Sequence, residues 1–409
     1  MKKLSLDEWE KKYIAGPVER FDQKNIMFIR PFWDTELQAI LPDWLWNYAI
    51  KDKVGFTQQD FALHEASWRG EKISLFNASK PNPKPAAKAI METLEASGLG
   101  IPAMFHHPPE GAKIDISDPQ QVTRDMKKVA TYFGADLVGI CRLDRRWVYS
   151  HTFPDIGTAI AGGFNQAPES TPQQIPEEFQ YVIVMAFEMD YDLLSYWPTY
   201  VFSAGVGTGY SRMAFACLRL SAFIRSLGFK AIDTTTNDVC IFPPLAMLAG
   251  LGEVGRNGLL ITPQFGPRVR LAAIITDLPL VADSPIEFGV TKFCAACKKC
   301  AKLCPSQSIS HGERTGEPLN ISNIDGTLKW PINAETCRLY WTRSNPDCGL
   351  CISTCPYNKV HTWPHRAVRW LTDHVRWADT FYLKMDDLLG YGKPRKADNF
   401  WKEWQPGRH

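Results

Sequence analysis

Long apolar runs are missing from this chain of 409 residues. Stretches such as Tyr181–Phe187 and Leu271–Ile275 stop far short of the roughly 18–20 residues that a membrane-spanning helix needs. An excess of either charge is missing too. Lys and Arg number 46 against 44 Asp and Glu, a net +2, so no extended basic face for nucleic acid is expected. The first ten residues, with two lysines and three acidic residues around one tryptophan, hold no apolar core, twin arginine or small-residue cleavage site, and no export signal is expected in them. No phosphate-binding G-x4-G-K-[ST] loop occurs, and none of the nine histidines forms H-E-x-x-H. Gly250, Gly252 and Gly255 do spell G-x-G-x-x-G, but Arg256-Asn-Gly follows where a dinucleotide fold would open a helix. With 45% apolar and 22% charged residues, the composition is that of a globular chain.

What is present is a concentration of cysteine. Eight of the eleven fall at positions 294, 297, 300, 304, 337, 348, 351 and 355, whereas Cys141, Cys217 and Cys240 lie apart in apolar surroundings and read as small core residues. The first group, Cys294-x2-Cys297-x2-Cys300-x3-Cys304-Pro, has the spacing of a bacterial ferredoxin [4Fe–4S] site, in which the fourth cysteine serves the other cluster. The second, Cys337-x10-Cys348-x2-Cys351-x3-Cys355-Pro, repeats that ending after a longer gap. Cluster one is therefore assigned to Cys294, Cys297, Cys300 and Cys355, and cluster two to Cys337, Cys348, Cys351 and Cys304. Zinc ribbons stop at four ligands, and a chain of this length does not need disulfides. Two clusters in series form an electron wire, and the rest of the chain must supply the acceptor.

Upstream, residues 1–117 are rich in aromatics and proline and read as a wrapping segment, with an extended linker near Pro81–Pro85. From 118 to 285 helical and β-rich runs alternate: a helix over Thr123–Phe133, strands at 135–143, 181–189, 229–233 and 269–277, and a helix over Tyr210–Leu227 closed by Gly228. This is an α/β domain. The cluster module occupies 286–365, and 366–409 is an extension.

The segment Ala249–Leu280, reading AGLGEVGRNGLLITPQFGPRVRLAAIITDLPL, together with the unequal second cysteine group and both Cys-Pro endings, resembles the corrinoid-dependent reductive dehalogenases, and more distantly epoxyqueuosine reductase. The resemblance covers about residues 118–365. It implies a nitroreductase-like domain holding a base-off cobamide, with one cluster near the corrin and one near the surface. No D-x-H-x-x-G cobalamin-ligand pattern is present. By the same resemblance the catalytic tyrosine, which follows a glycine-rich stretch and begins a helix, falls on Tyr210, and an asparagine some two dozen residues later on Asn237. A basic partner is expected in the strand segment, where Arg270 is chosen over Arg268 and Arg256.

These residue types suit the chemistry. Exchanging carbon–halogen for carbon–hydrogen needs two electrons and a proton; a tyrosine supplies the proton, an adjacent guanidinium favours the anion left behind, and Asn237 hydrogen-bonds the tyrosine or orients substrate. Trp341, Phe32 and Trp33 are candidate walls of a water-excluding substrate pocket. The resemblance further implies a small chlorinated hydrocarbon, such as a chloroalkane, as substrate. It implies a respiratory electron donor, a small membrane-anchor protein, and a place at the outer face of the cytoplasmic membrane after twin-arginine export, and it allows a homodimer. An RNA-modifying relative would want a basic RNA face, and a plain two-cluster carrier would not need the roughly 290 residues that precede Cys294.

Overall fold

A computed structural model describes residues 1–40, 52–70, 111, 113–153, 170–236, 238–344, 347–360, 365 and 379–404. In chain order its principal elements are helices α1 (Leu6–Tyr13), α2 (Gln58–Ser67) and α3 (Pro119–Tyr132), strands β1 (Leu137–Arg142) and β2 (Tyr181–Glu188), then helix α4 (Tyr200–Ser226). Strand β3 (Ala231–Thr234), helix α5 (Phe242–Leu248) and strand β4 (Val269–Thr276) complete the central domain. The cluster region carries α6 (Val290–Cys297), α7 (Lys299–Leu303), α8 (Ala334–Ser344) and α9 (Leu350–Ser353), followed by α10 (Asp379–Leu388).

The central sheet has the order β1-β2-β4-β3, and every neighbouring pair is antiparallel. Strands β2 and β4 are sealed on both faces, which is why they read as unbroken apolar runs. Successive side chains point to opposite faces of a strand. Val182, Val184, Ala186, Ala273 and Ile275 accordingly pack with α5 and Trp147. Ile183, Met185, Phe187, Ala272 and Ile274 join α3 and α4 on the other side. The three scattered cysteines, Cys141, Cys217 and Cys240, are buried in these two cores.

Local signals set the ends. Helix α3 begins at Asp118, whose carboxylate accepts from the Gln120 amide, with Pro119 in the first helical position; it is followed by Gly134 at φ 106°. It starts a turn earlier than Thr123, because that threonine is inside the helix and turns its hydroxyl back to Pro119 O. The larger departure is α4. The glycines at 205, 207 and 209 read as a loop before a helix opening at Tyr210, yet the helix opens at Tyr200, capped by Thr199, and all three glycines lie inside it. A buried helical glycine costs about 1 kcal/mol relative to alanine, a penalty accepted where neighbours press against the backbone. Gly250–Gly255 runs from the end of α5 into a hairpin pairing Glu253–Val254 with Leu260–Ile261.

The N-terminal segment wraps onto the junction with the cluster region. Lys2 and Lys3 pair with Glu287 and Ile286. Helix α1, held by a Ser5–Glu8 capping box, delivers Lys12 and Tyr13 to the wholly buried carboxylate of Glu253 at 2.8 and 3.0 Å. The same carboxylate accepts from the amides of Phe288 and Val290 at 2.7 and 3.2 Å. Burial opposes its charge, but Lys12 and these donors more than offset that and hold its carboxyl below the usual range. A buried ion is retained on such terms only when paired and fully hydrogen-bonded.

Candidate redox and proton-transfer site

The ferredoxin-like spacing becomes geometry at α6. The helix carries Cys294 and Cys297 one turn apart, Lys298 breaks it in a left-handed conformation at φ 52°, and α7 restarts at once with Cys300. Cys294, Cys297, Cys300 and Cys355 line one pocket of about 320 Å³, counted to its open mouth, together with Phe293, Ile261 and Tyr357. That is the foursome assigned to cluster one. The remaining four also sit within one another's electrostatic reach: Cys337 with Cys348 and Cys304, and Cys351 with all three. Among the described residues no three His, Cys, Asp or Glu side chains converge closely enough for a single ion. Thiols spread around a void suit a polynuclear cluster better than one zinc.

Electrostatics supports the same fit. Burial pushes most of these thiols up, Cys297 and Cys348 to about 11 and Cys300 and Cys337 to about 12. Ligation needs thiolates, so bound iron must supply the charge that makes them stable, and cluster binding is coupled to folding. Cys304 differs. Although burial raises it, hydrogen bonds at 3.4 Å from Ser306 and from the Ser308 amide bring its thiol below the usual range.

Tyr210 lies in the third turn of α4, half-buried. Arg270, on β4, donates from Nη1 to its hydroxyl oxygen at 3.4 Å, and the guanidinium stands 4.8 Å from the centre of its ring. Met189 Sδ fixes the same guanidinium through Nε at 3.2 Å. Of the three arginines considered, this one meets the tyrosine. Arg256 is instead buried under the cluster region, donating to Cys294 O and Ser310 O and covering Trp330. Arg268 is bound to Glu188, Asn358 and Lys359 O. Arginine is a pure donor, so the phenol's own hydrogen is not spent on it. Asn237 lies outside the described residues.

One ring was not legible beforehand. Trp68, just beyond α2, stacks on Tyr210 with centroids 5.1 Å apart and planes 25° from parallel. Its Nε1 donates at 3.3 Å to Ser203, which lies two helical turns before Tyr210 on the same face of α4. Ser203 also meets His64 Nδ1 at 2.9 Å and donates to the buried carboxylate of Asp347, the residue before cluster ligand Cys348. Burial pushes that carboxyl up to about 6 against the opposing pull of Ser203 and of the Arg270 and Arg338 charges. The glycines explain the fit: a methyl at Gly207 would stand 2.6 Å from the Trp68 ring, one at Gly205 2.9 Å from Leu193, and one at Gly209 3.1 Å from Arg270. Gly207→Ala is therefore expected to destabilise the protein by about 1–3 kcal/mol in denaturant titration, reversing the gain of up to about 1 kcal/mol that alanine brings to an unobstructed helix. A more stable variant would mean that Trp68 is not seated there.

The walls named from the sequence lie elsewhere in the described contacts. Trp341 on α8 packs edge-on to Phe28, Trp33 donates to Lys24 O, and Phe32 is buried in the N-terminal segment. Tyr210, Trp68 and Cys351, one of the cysteines assigned to cluster two, share one apolar group with Met189, Phe202, Val206, Leu259 and Ile352.

Residues 293–359 match the 4Fe-4S dicluster domain. The chain is 39% identical over 325 residues to the tetrachloroethene reductive dehalogenase of Sulfurospirillum multivorans, covering 76% of this chain and 64% of that one. It is 33% identical over 390 residues to the tetrachloroethene reductive dehalogenase of Desulfitobacterium hafniense, covering 85% and 70%. Among solved structures, a reductive dehalogenase described for B12-dependent dehalogenation superposes with a TM-score of 0.67 at 23% identity, over 93% of this chain and 47% of that one. Similarity to an epoxyqueuosine reductase of Lactococcus garvieae is confined to 130 residues, 28% of this chain. The chain spans under two thirds of the first relative and about half of the solved structure.

Proposed function

The chain belongs to the reductive dehalogenase family, and we propose that it replaces carbon–halogen by carbon–hydrogen in a small chlorinated hydrocarbon, with Tyr210 as proton donor. The observation that carries the proposal is the Tyr210–Arg270 pair on an apolar group shared with cluster ligand Cys351. A bound cobamide would supply the strong reductant that carbon–halogen cleavage requires. The half-buried members of that apolar group, Leu259, Trp68 and Tyr210, are the side chains that would meet the face of such a macrocycle. Tyr210 holds a transferable proton at its hydroxyl. Arg270 already donates to that oxygen and is in place to offset the charge left when the proton departs, with no reorganisation. Trp68 fixes the ring plane and covers one face against water. Asn237 is assigned to orienting the substrate or the phenol.

We extend the reading to a respiratory setting: electrons from the respiratory chain, a small anchor protein, homodimerisation, and the outer face of the cytoplasmic membrane. No helix of the described residues is long and apolar enough to cross a membrane. The experiment is anaerobic reconstitution followed by metal analysis and halide release from a panel of chlorinated alkanes, alkenes and phenols. The expected result is about eight irons and about one cobalt per chain, with turnover only when both are present. Turnover by cobalt-free protein would overturn the proposal.

A further inference from the structure

Around cluster one the surface is basic. Lys292 on α6, Lys298 between the helices and Lys302 on α7 surround Cys294, Cys297 and Cys300. Lys292 and Lys302 are exposed, Lys298 rims the mouth of the thiol pocket, and none of the three makes an ion pair or side-chain hydrogen bond among the described residues. The neighbouring acids are already committed: Asp386 binds Lys299 and Lys359 at 2.6 Å each, and Asp387 binds Lys299 at 2.6 Å. Glu313, on the Arg256 side, is a further exposed carboxylate. Ala296 and Leu303 are exposed between the lysines, giving the patch a small apolar centre.

Lys298 adds a separate argument. It holds a left-handed backbone, φ 52° and ψ 11°, where glycine or asparagine would be at ease and a long side chain is strained. The left-handed turn itself brings Cys300 round to Cys294 and Cys297; lysine in place of glycine or asparagine adds a charge at the rim of their pocket. The chain as a whole carries only +2, so this is a local feature and not a by-product of a basic protein.

We propose that this patch is the docking surface for a small acidic one-electron carrier protein, which delivers electrons to cluster one. The carrier is oxidised by one electron and cluster one is reduced by one; two such encounters supply the pair that the reaction consumes. Complementary charge chiefly speeds encounter and sets orientation, and weak electron-transfer complexes need only a small contact area. The inference rests on the two-cluster reading and not on dehalogenation, which plays no part in its readout.

The test is stopped-flow reduction of the reconstituted holoprotein, followed at the cluster absorbance, by two donors: a photoreduced acidic bacterial ferredoxin and reduced methyl viologen, a small cation. In the Lys292→Glu/Lys302→Glu double variant, reduction by ferredoxin should slow about tenfold at low salt and lose most of its ionic-strength dependence, while reduction by viologen keeps its rate. The milder Lys292→Gln/Lys302→Gln pair should fall between this variant and the wild type. Equal slowing with both donors would assign the lysines to balancing the cluster's own charge and overturn the proposal. So would an unchanged ferredoxin rate.

Discussion

Tyr210→Phe is expected to lower halide release by about 10²- to 10⁴-fold, the usual weight of a positioned proton donor, while iron and cobalt contents stay at wild-type levels. The substitution removes one oxygen and keeps the ring that stacks on Trp68 and lies under Arg270, so packing is spared. The loss should fall on kcat. Apolar substrate binding does not need the hydroxyl, whereas the transferred proton exists only on it. Arg270→Lys should be intermediate: it keeps a cation but loses the planar fork that reaches Met189 and the phenol at once. Halide release from Tyr210→Phe within a few-fold of wild type would remove the tyrosine from its role.

Replacing Cys304 by Ala should halve the iron, from about eight to about four per chain, and the electron-paramagnetic signal that disappears should belong to cluster two. Although Cys304 stands only four residues from Cys300, its electrostatic partners are Cys337, Cys348 and Cys351. Cys355→Ala should do the converse, since Cys355 closes the pocket of Cys294, Cys297 and Cys300. Turnover should collapse in both, because an electron must pass through each cluster in series. The half-loaded proteins should also melt at lower temperature, as buried thiols lose the iron that made their ionised form tolerable. If Cys304→Ala instead spared cluster two and emptied cluster one, the crossed ligand sets would have to be redrawn.

Legibility followed the range of the interaction. The cysteine groups and the strands β2 and β4 could be read because spacing and periodicity are local, and a strand of eight residues states its own pattern; Arg270 was chosen by resemblance, since periodicity puts Arg268 on the same face. The antiparallel order could not, since strands buried on both faces lose the alternation that marks a one-sided sheet. The start of α4 was misplaced for a related reason. Glycine signals a break when only its own propensity is weighed, and the rings and side chains that occupy the space beside Gly205, Gly207 and Gly209 come from distant segments. Trp68 was missed on the same ground: nothing near it in the chain announces Tyr210.

The strand formed by Lys2 and Lys3 bears on how the protein is made. Its partners, Ile286 and Glu287, leave the ribosome only after some 280 further residues, and Lys12 and Tyr13 wait some 240 for Glu253. Helix α1 can lay Trp9 against Trp147 early, but Tyr13 has no Glu253 to meet until the glycine-rich hairpin has been made. Contacts of such sequence separation form late and slowly. A nascent chain stalled before residue 286 leaves Lys2 and Lys3 without their strand, and final closure of the N-terminal wrap reports that the start of the cluster region has emerged.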